Sequence, residues 1–144
     1  MAISKHPRRR LAVVTCMDCR IDPLQATGLA LGDAHVIRNA GAIVSDDVRR
    51  SLALSQRALG TTDVWVVAHT DCGVLGLDDG AFLDAVEADA GVRPDWSPGG
   101  FDSLEGSVRS GIATIASDPA LASDAVRGFV LDVEAGTLAE VEPG

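Results

Sequence analysis

The sequence predicts an α/β fold: a single domain with a mostly parallel central sheet of about four strands, a C-terminal antiparallel edge strand, and flanking helices. Three observations predict it. Short, uncharged, β-branched runs alternate with segments of helical periodicity. Glycine, proline or a capping side chain punctuates each change of period. The chain has 144 residues, 47% of them hydrophobic, which suits one domain with an ordinary core.

Residues 1–10 carry Lys5, His6, Arg8, Arg9 and Arg10 and read as a solvated basic tail ahead of a domain spanning 11–144. Leu11–Cys16 is a buried strand. Asp22 caps a helix whose first position is Pro23 and whose end is expected at Gly32. Ala34–Arg38 is the second strand, and Asn39-Ala40-Gly41-Ala42 a turn with positive φ at Gly41. Ser45 caps the helix carrying Val48, Leu52 and Leu59, which Gly60 ends, with Asp46 and Asp47 complementing its dipole. Asp63–Ala68 is the third strand. Ala81–Ala90 is predicted helical with Phe82, Leu83 and Val86 on one face, residues 91–100 a loop, and Ser103–Ser117 a helix. Gly128–Val133 is the fourth strand, and Glu134-Ala135-Gly136 turns the chain into the edge strand Thr137–Val141.

Composition excludes several classes of function. A formal net charge of −9 argues against a nucleic-acid or anionic-membrane partner. No apolar run approaches the ~20 residues needed to span a bilayer. No signal-peptide core follows the basic start, so a cytoplasmic location is expected. Three cysteines are an odd number, and in a reducing compartment they point to metal or thiol chemistry rather than a disulfide framework.

Two stretches carry that chemistry. Cys16-Met17-Asp18-Cys19-Arg20 follows one apolar strand, and His69-Thr70-Asp71-Cys72-Gly73 follows another. Ligands of open parallel sheets bind beyond the carboxyl ends of strands. Thiolate and imidazole are ligands that Zn²⁺ favours, and three of them (Cys16, His69, Cys72) leave one tetrahedral position open, as in catalytic zinc sites. Asp18 and Arg20 stand at alternate positions from Cys16 and point the same way if the segment is extended. Asp18 then either takes the fourth position or accepts a bidentate bond from Arg20, and the residues alone leave both open. Cys19 supports two rival readings: a Cys-x-x-Cys redox motif with Cys16, or a closed Cys₃His structural zinc. An extended segment places residues 16 and 19 on different faces, which weighs against both. His35 reads as structural. Asp71 is either an acceptor beside the ligands or a loop-orienting group.

These paired motifs resemble the β-class carbonic anhydrases, especially their compact subgroup. The resemblance extends through Val36-Ile37-Arg38-Asn39-Ala40-Gly41, the Ser45–Leu59 helix, Arg93-Pro94-Asp95-Trp96 and Arg127-Gly128-Phe129-Val130, covering nearly all of residues 11–141. It implies Zn²⁺ bound by Cys16, His69 and Cys72, with Asp18 and Arg20 as the catalytic pair. It implies reversible hydration of carbon dioxide to bicarbonate by a zinc-bound hydroxide, and a homodimer or an assembly of dimers. Hydrolysis of carbonyl sulfide or carbon disulfide is the alternative on the same site. Two departures stand out: only ten residues precede Leu11, where the family commonly carries an N-terminal helical arm, and position 19 is cysteine.

Overall fold

The strand whose six residues are all buried, β1 (Leu11–Cys16), lies inside the sheet and not at an edge. A strand buried at every position needs cover on both faces, and a parallel sheet between helices supplies it; its one hydroxyl, Thr15 Oγ1, donates to Val67 O at 2.9 Å. The computed structural model describes residues 2–144. β1 is followed by α1 (Pro23–Thr27), β2 (Ala34–Asn39), α2 (Asp46–Arg57), β3 (Asp63–His69), α3 (Asp79–Ala90), α4 (Leu104–Ser117), β4 (Ala125–Asp132) and β5 (Thr137–Val141). The strand order is β2-β1-β3-β4-β5, with the first four parallel and β5 antiparallel to β4. The chain leaves β1 for β2 on one side, then crosses back to β3 on the other. The switch point thus lies between the carboxyl ends of β1 and β3.

The period of two sorts the apolar residues into two layers. Ala12, Val14, Val64 and Val66 face Val48 and Leu52 of α2 and Ile115 of α4. Leu11, Val13 and Val67 face the opposite way and pack with Ile21, Leu29, Phe129 and Leu131. Burying a side chain such as Leu52 contributes roughly 1.5–3 kcal/mol. Gly128 lets α4 lie close on β4: a Cβ there would overlap Val108 and come within 2.8 Å of Ile112 Cδ1.

Several boundaries differ from the sequence expectation, each for a local reason. α1 stops at Thr27 rather than running to Gly32, because Gly28 adopts the left-handed conformation (φ 71°) and caps it. α3 begins two residues early, since Asp78 accepts from Ala81 N at 2.9 Å. It buries none of its residues, so Phe82, Leu83 and Val86 make no core face. β4 runs from Ala125 to Asp132 rather than 128–133, following its pairing with the whole of β3. Pro7 is buried, Arg8 bonds Asp33 at 2.9 Å, and the Arg9 guanidinium lies over Trp65. His35 is structural: its Nδ1 meets Ser55 Oγ at 2.7 Å. Among the described residues no helix is long and apolar enough to cross a membrane.

Candidate metal centre

β1 delivers Cys16 and β3 delivers His69 as their last residues, at the switch point. The chain then turns sharply, with Asp71 at positive φ (55°), a conformation aspartate tolerates better than most residues. That turn brings Cys72 back beside His69. It is tied to β4 by Thr70 N donating to Leu131 O (2.8 Å) and by Val133 N donating to Thr70 Oγ1 (3.1 Å). The ligand atoms of Cys16, His69 and Cys72 all lie within 4.8 Å of one another, and all three residues are buried.

His69 is 1% exposed. Its Nδ1 lies 2.8 Å from Thr70 O; a carbonyl only accepts, so Nδ1 carries the proton and Nε2 a lone pair. Nε2 is the buried side-chain nitrogen without a hydrogen-bond partner among the described residues. Leaving such an atom unpaired costs about 1–3 kcal/mol, and the two sulfurs beside it offer no strong donor. The donor set of one imidazole lone pair and two thiols therefore fits a cation of the zinc type.

The two thiols are not in identical settings. Cys16 Sγ accepts from Gly41 N at 3.3 Å. That amide is presented by a stapled turn, in which Asn39 Oδ1 accepts from Ile43 N (2.9 Å) and Asn39 Nδ2 donates to Ile43 O (2.8 Å). Gly41 has φ 92°, as its turn demanded. Burial pushes the Cys72 thiol up, the backbone amides of Val74 and Leu75 pull it back, and Cys16 adds to the rise. A bound divalent cation inverts that balance by favouring the thiolate.

Asp18 stands at the rim of the triad, its Oδ2 3.7 Å from His69 Nε2. Both carboxylate oxygens are taken by Arg20, from Nε to Oδ1 (3.0 Å) and Nη2 to Oδ2 (2.8 Å), and Arg20 N also donates to Oδ1 (2.8 Å). Those hydrogen bonds hold the Asp18 carboxyl far below the usual carboxylate range. Asp71 completes the grip on Arg20, accepting from Nη1 on its side chain (3.1 Å) and from Nη2 on its carbonyl (3.0 Å). The guanidinium thus cross-links the two ligand-bearing loops, and its own pKa rises, chiefly through Asp18 and then Asp71.

Cys19 is exposed and outside the triad, so neither the Cys₃His set nor a Cys16–Cys19 pair is assembled here. A cavity of about 450 Å³ opens above Cys16 and Cys72, walled by Met17, Val74, Leu77, Phe82, Trp96 and Pro98. Sequence reasoning missed this wall, because Phe82 and Trp96 come from separate segments and meet only in the fold, their rings 6.4 Å apart. It also missed the Gly41 amide, for which the predicted positive φ was the one available signal.

A carbonic anhydrase family profile matches residues 11–89. β-Carbonic anhydrase 1 of Mycobacterium tuberculosis is 45% identical over 138 residues, covering 95% of this chain and 85% of the relative. The crystal structure of carbonic anhydrase from Streptococcus mutans superimposes with a TM-score of 0.93 at 40% identity, covering 99% of this chain and 87% of that one. A carbon disulfide hydrolase of Acidianus sp. is 52% identical over a shorter stretch, 46% of this chain and 33% of that relative. With its switch-point triad and this breadth of similarity, the chain belongs to the β-carbonic anhydrase family.

Exposure separates the three thiols. In the native protein one thiol per chain should react quickly with Ellman's reagent, and Cys19→Ser should remove that fast phase while leaving metal content unchanged. Loss of the metal in Cys19→Ser would restore the four-ligand reading.

Proposed function

We propose that this chain binds one Zn²⁺ through Cys16, His69 and Cys72 and catalyses the reversible hydration of carbon dioxide to bicarbonate in the cytoplasm. The observation that carries the reading is the buried, unpartnered His69 Nε2 converging with two buried sulfurs beside an arginine-held carboxylate. Zinc, when bound, supplies the Lewis acidity that ionises water near neutral pH. The chain's own groups do the rest. The apolar wall above Cys16 and Cys72 admits an uncharged, linear substrate and sheds water from the reacting face. Asp18, kept ionised by Arg20, would accept a hydrogen bond from the O–H of the nucleophile and so aim its lone pair at the substrate carbon. Arg20 is itself pinned by Asp71, so the carboxylate it holds has a fixed position.

Two thiolates cancel the charge of a divalent cation, where three neutral imidazoles leave it intact. The second reading, hydrolysis of carbon disulfide or carbonyl sulfide, is favoured by the same apolar wall and by the partial likeness to carbon disulfide hydrolase. Stopped-flow rates for carbon dioxide hydration and carbonyl sulfide hydrolysis by the zinc-loaded protein decide between them. The same preparation should contain one zinc per chain, and Cys72→Ser should lose most of it; full zinc content in that variant would overturn the ligand set.

A homodimer or an assembly of dimers is part of this reading. Strand β2 forms a free edge of the sheet, and Val36 and Leu54 are exposed on the groove between it and α2. Light scattering at micromolar concentration should give at least twice the chain mass; an active monomer would contradict it.

The pH dependence is not set by Asp18. Its carboxyl is depressed, so it takes up no proton across the neutral range and cannot set the acid limb of activity. Activity should therefore climb from neutral into mildly alkaline pH as hydroxide becomes available. Arg20→Ala should lower activity by about 10–100-fold with zinc retained, the range typical of groups that orient a metal site's neighbours. Full activity in Arg20→Ala would reduce the Asp18–Arg20 pair to a structural salt bridge, and a flat wild-type profile would exclude hydroxide availability as the source of the pH dependence.

A further inference from the structure

Cys16 and Asp18 converge on His69 only if residues 16–18 stay extended, because side chains at alternate positions share a face only then. Strand pairing does not enforce this far past the end of β1. Its last contact with the neighbouring strand is Met17 N donating to Asn39 O at 2.8 Å. Beyond that point the chain turns at once, with Ile21 N donating to Asp18 O (3.2 Å) on its way into α1. A short segment between a buried sulfur and a paired carboxylate therefore lacks the ladder that holds the rest of β1.

One side chain supplies the missing donors. Arg38, on the edge strand β2 opposite Thr15, reaches across to this segment. Its Nε donates to Cys16 O (2.9 Å), and its Nη2 donates to Asp18 O (2.9 Å) and Ile21 O (3.3 Å). All three partners are backbone carbonyls, and among the described residues no carboxylate lies within ion-pair distance of Arg38. An exposed strand arginine would ordinarily sit in solvent or pair with an acid. Here its donors go to the carbonyls of a thiol-bearing residue, of the carboxylate-bearing residue two positions on, and of the residue that closes the turn.

We propose that Arg38 is a positioning residue for the reaction. Its planar fork spans the carbonyls of residues 16 and 18 and keeps the segment extended, which fixes Cys16 Sγ and the Asp18 carboxylate relative to His69 Nε2. Lysine cannot replace it, because a single ammonium presents a point of donors rather than a fork and cannot bridge the three acceptors in the same plane. Arg38 touches neither substrate nor metal in this role; it acts through the main chain of the residues that do. The catalytic arm of this proposal rests on the zinc hydratase reading, and the spectroscopic arm does not.

The test compares wild type, Arg38→Ala and Arg38→Lys as zinc- and cobalt-loaded protein. The readouts are kcat and KM for carbon dioxide, the visible absorption of the Co²⁺ form, which reports coordination geometry, and thermal unfolding. Both variants should lose kcat by about 10–100-fold, as is typical when a group orienting a metal site is removed, with KM little changed. Their Co²⁺ bands should shift from those of wild type. Millimolar guanidinium should restore part of the kcat and the band shape in Arg38→Ala, and ammonium at equal ionic strength should not. Full kcat with a wild-type cobalt spectrum in Arg38→Lys overturns the proposal, as does rescue of Arg38→Ala by ammonium and guanidinium alike, since charge alone would then suffice. If Arg38→Ala does not fold, Arg38→Lys, which keeps stem and charge, decides by the same two readouts. A wild type that does not hydrate carbon dioxide refutes the hydratase reading, while the cobalt spectra still decide the role of Arg38.

Discussion

The parallel pairing of β1 with β3 is the constraint from which the site follows. Leu11 stands opposite Asp63 and Thr15 opposite Val67, so the two strands end side by side. A slip of one residue would turn every side chain of β1 to the other face. The buried layers forbid that slip, because Ala12 and Val14 fit beneath α2 while Leu11 and Val13 fit against Ile21 and Leu29. Apolar packing of about a dozen residues thus fixes where one sulfur and one imidazole stand, without either contributing much to stability itself. The return of the chain from β2 across β1 to β3 opens the crevice above them.

What surrounds the triad is largely main chain. The Gly41 amide points at Cys16 Sγ, Thr70 O accepts a hydrogen bond from His69 Nδ1, and the αL turn at Asp71 returns Cys72 to the imidazole. Backbone groups on a hydrogen-bonded scaffold hold position better than long side chains, which lose rotamer entropy on ordering. The side chains that do take part act as cross-links: Asn39 closes its turn, and Arg20 joins the loop after β1 to the loop after β3. Charge follows the same economy. A carboxylate and two ionisable thiols crowd one corner, and Arg20 is the cation placed among them. The unpaired His69 Nε2 leaves the corner one partner short, and a cation satisfies the nitrogen and both sulfurs together.

The wall above the triad has a different origin. α3 buries nothing, and the loop after it is tied down by polar contacts: Gly100 N donates to Asp79 Oδ1 at 2.8 Å, and Arg93 reaches Asp84 at 2.7 Å. Phe82 and Trp96 are consequently held at the rim of the cavity instead of in the core.

The sequence by itself determined the layered α/β architecture, because hydrophobic period, caps and glycines are local quantities that each segment carries alone. It singled out Cys16, Asp18, Arg20, His69 and Cys72 for the same reason: ligand-type residues directly after two buried strands, at spacings that one extended segment and one turn impose. Where its boundaries were off, at α1, α3 and β4, a capping glycine, a capping aspartate and the pairing with β3 outweighed propensity. Only the tertiary structure decided which contacts these residues make. It gave both oxygens of Asp18 to Arg20, left Cys19 in solvent, and turned Asp71 from a neighbour of two ligands into the second anchor of Arg20. It also drew Arg38 from β2 onto the carbonyls of Cys16, Asp18 and Ile21, and brought Phe82 to Trp96. Those contacts join residues distant in the chain, and their geometry depends on strand order and side-chain reach, which no local pattern encodes.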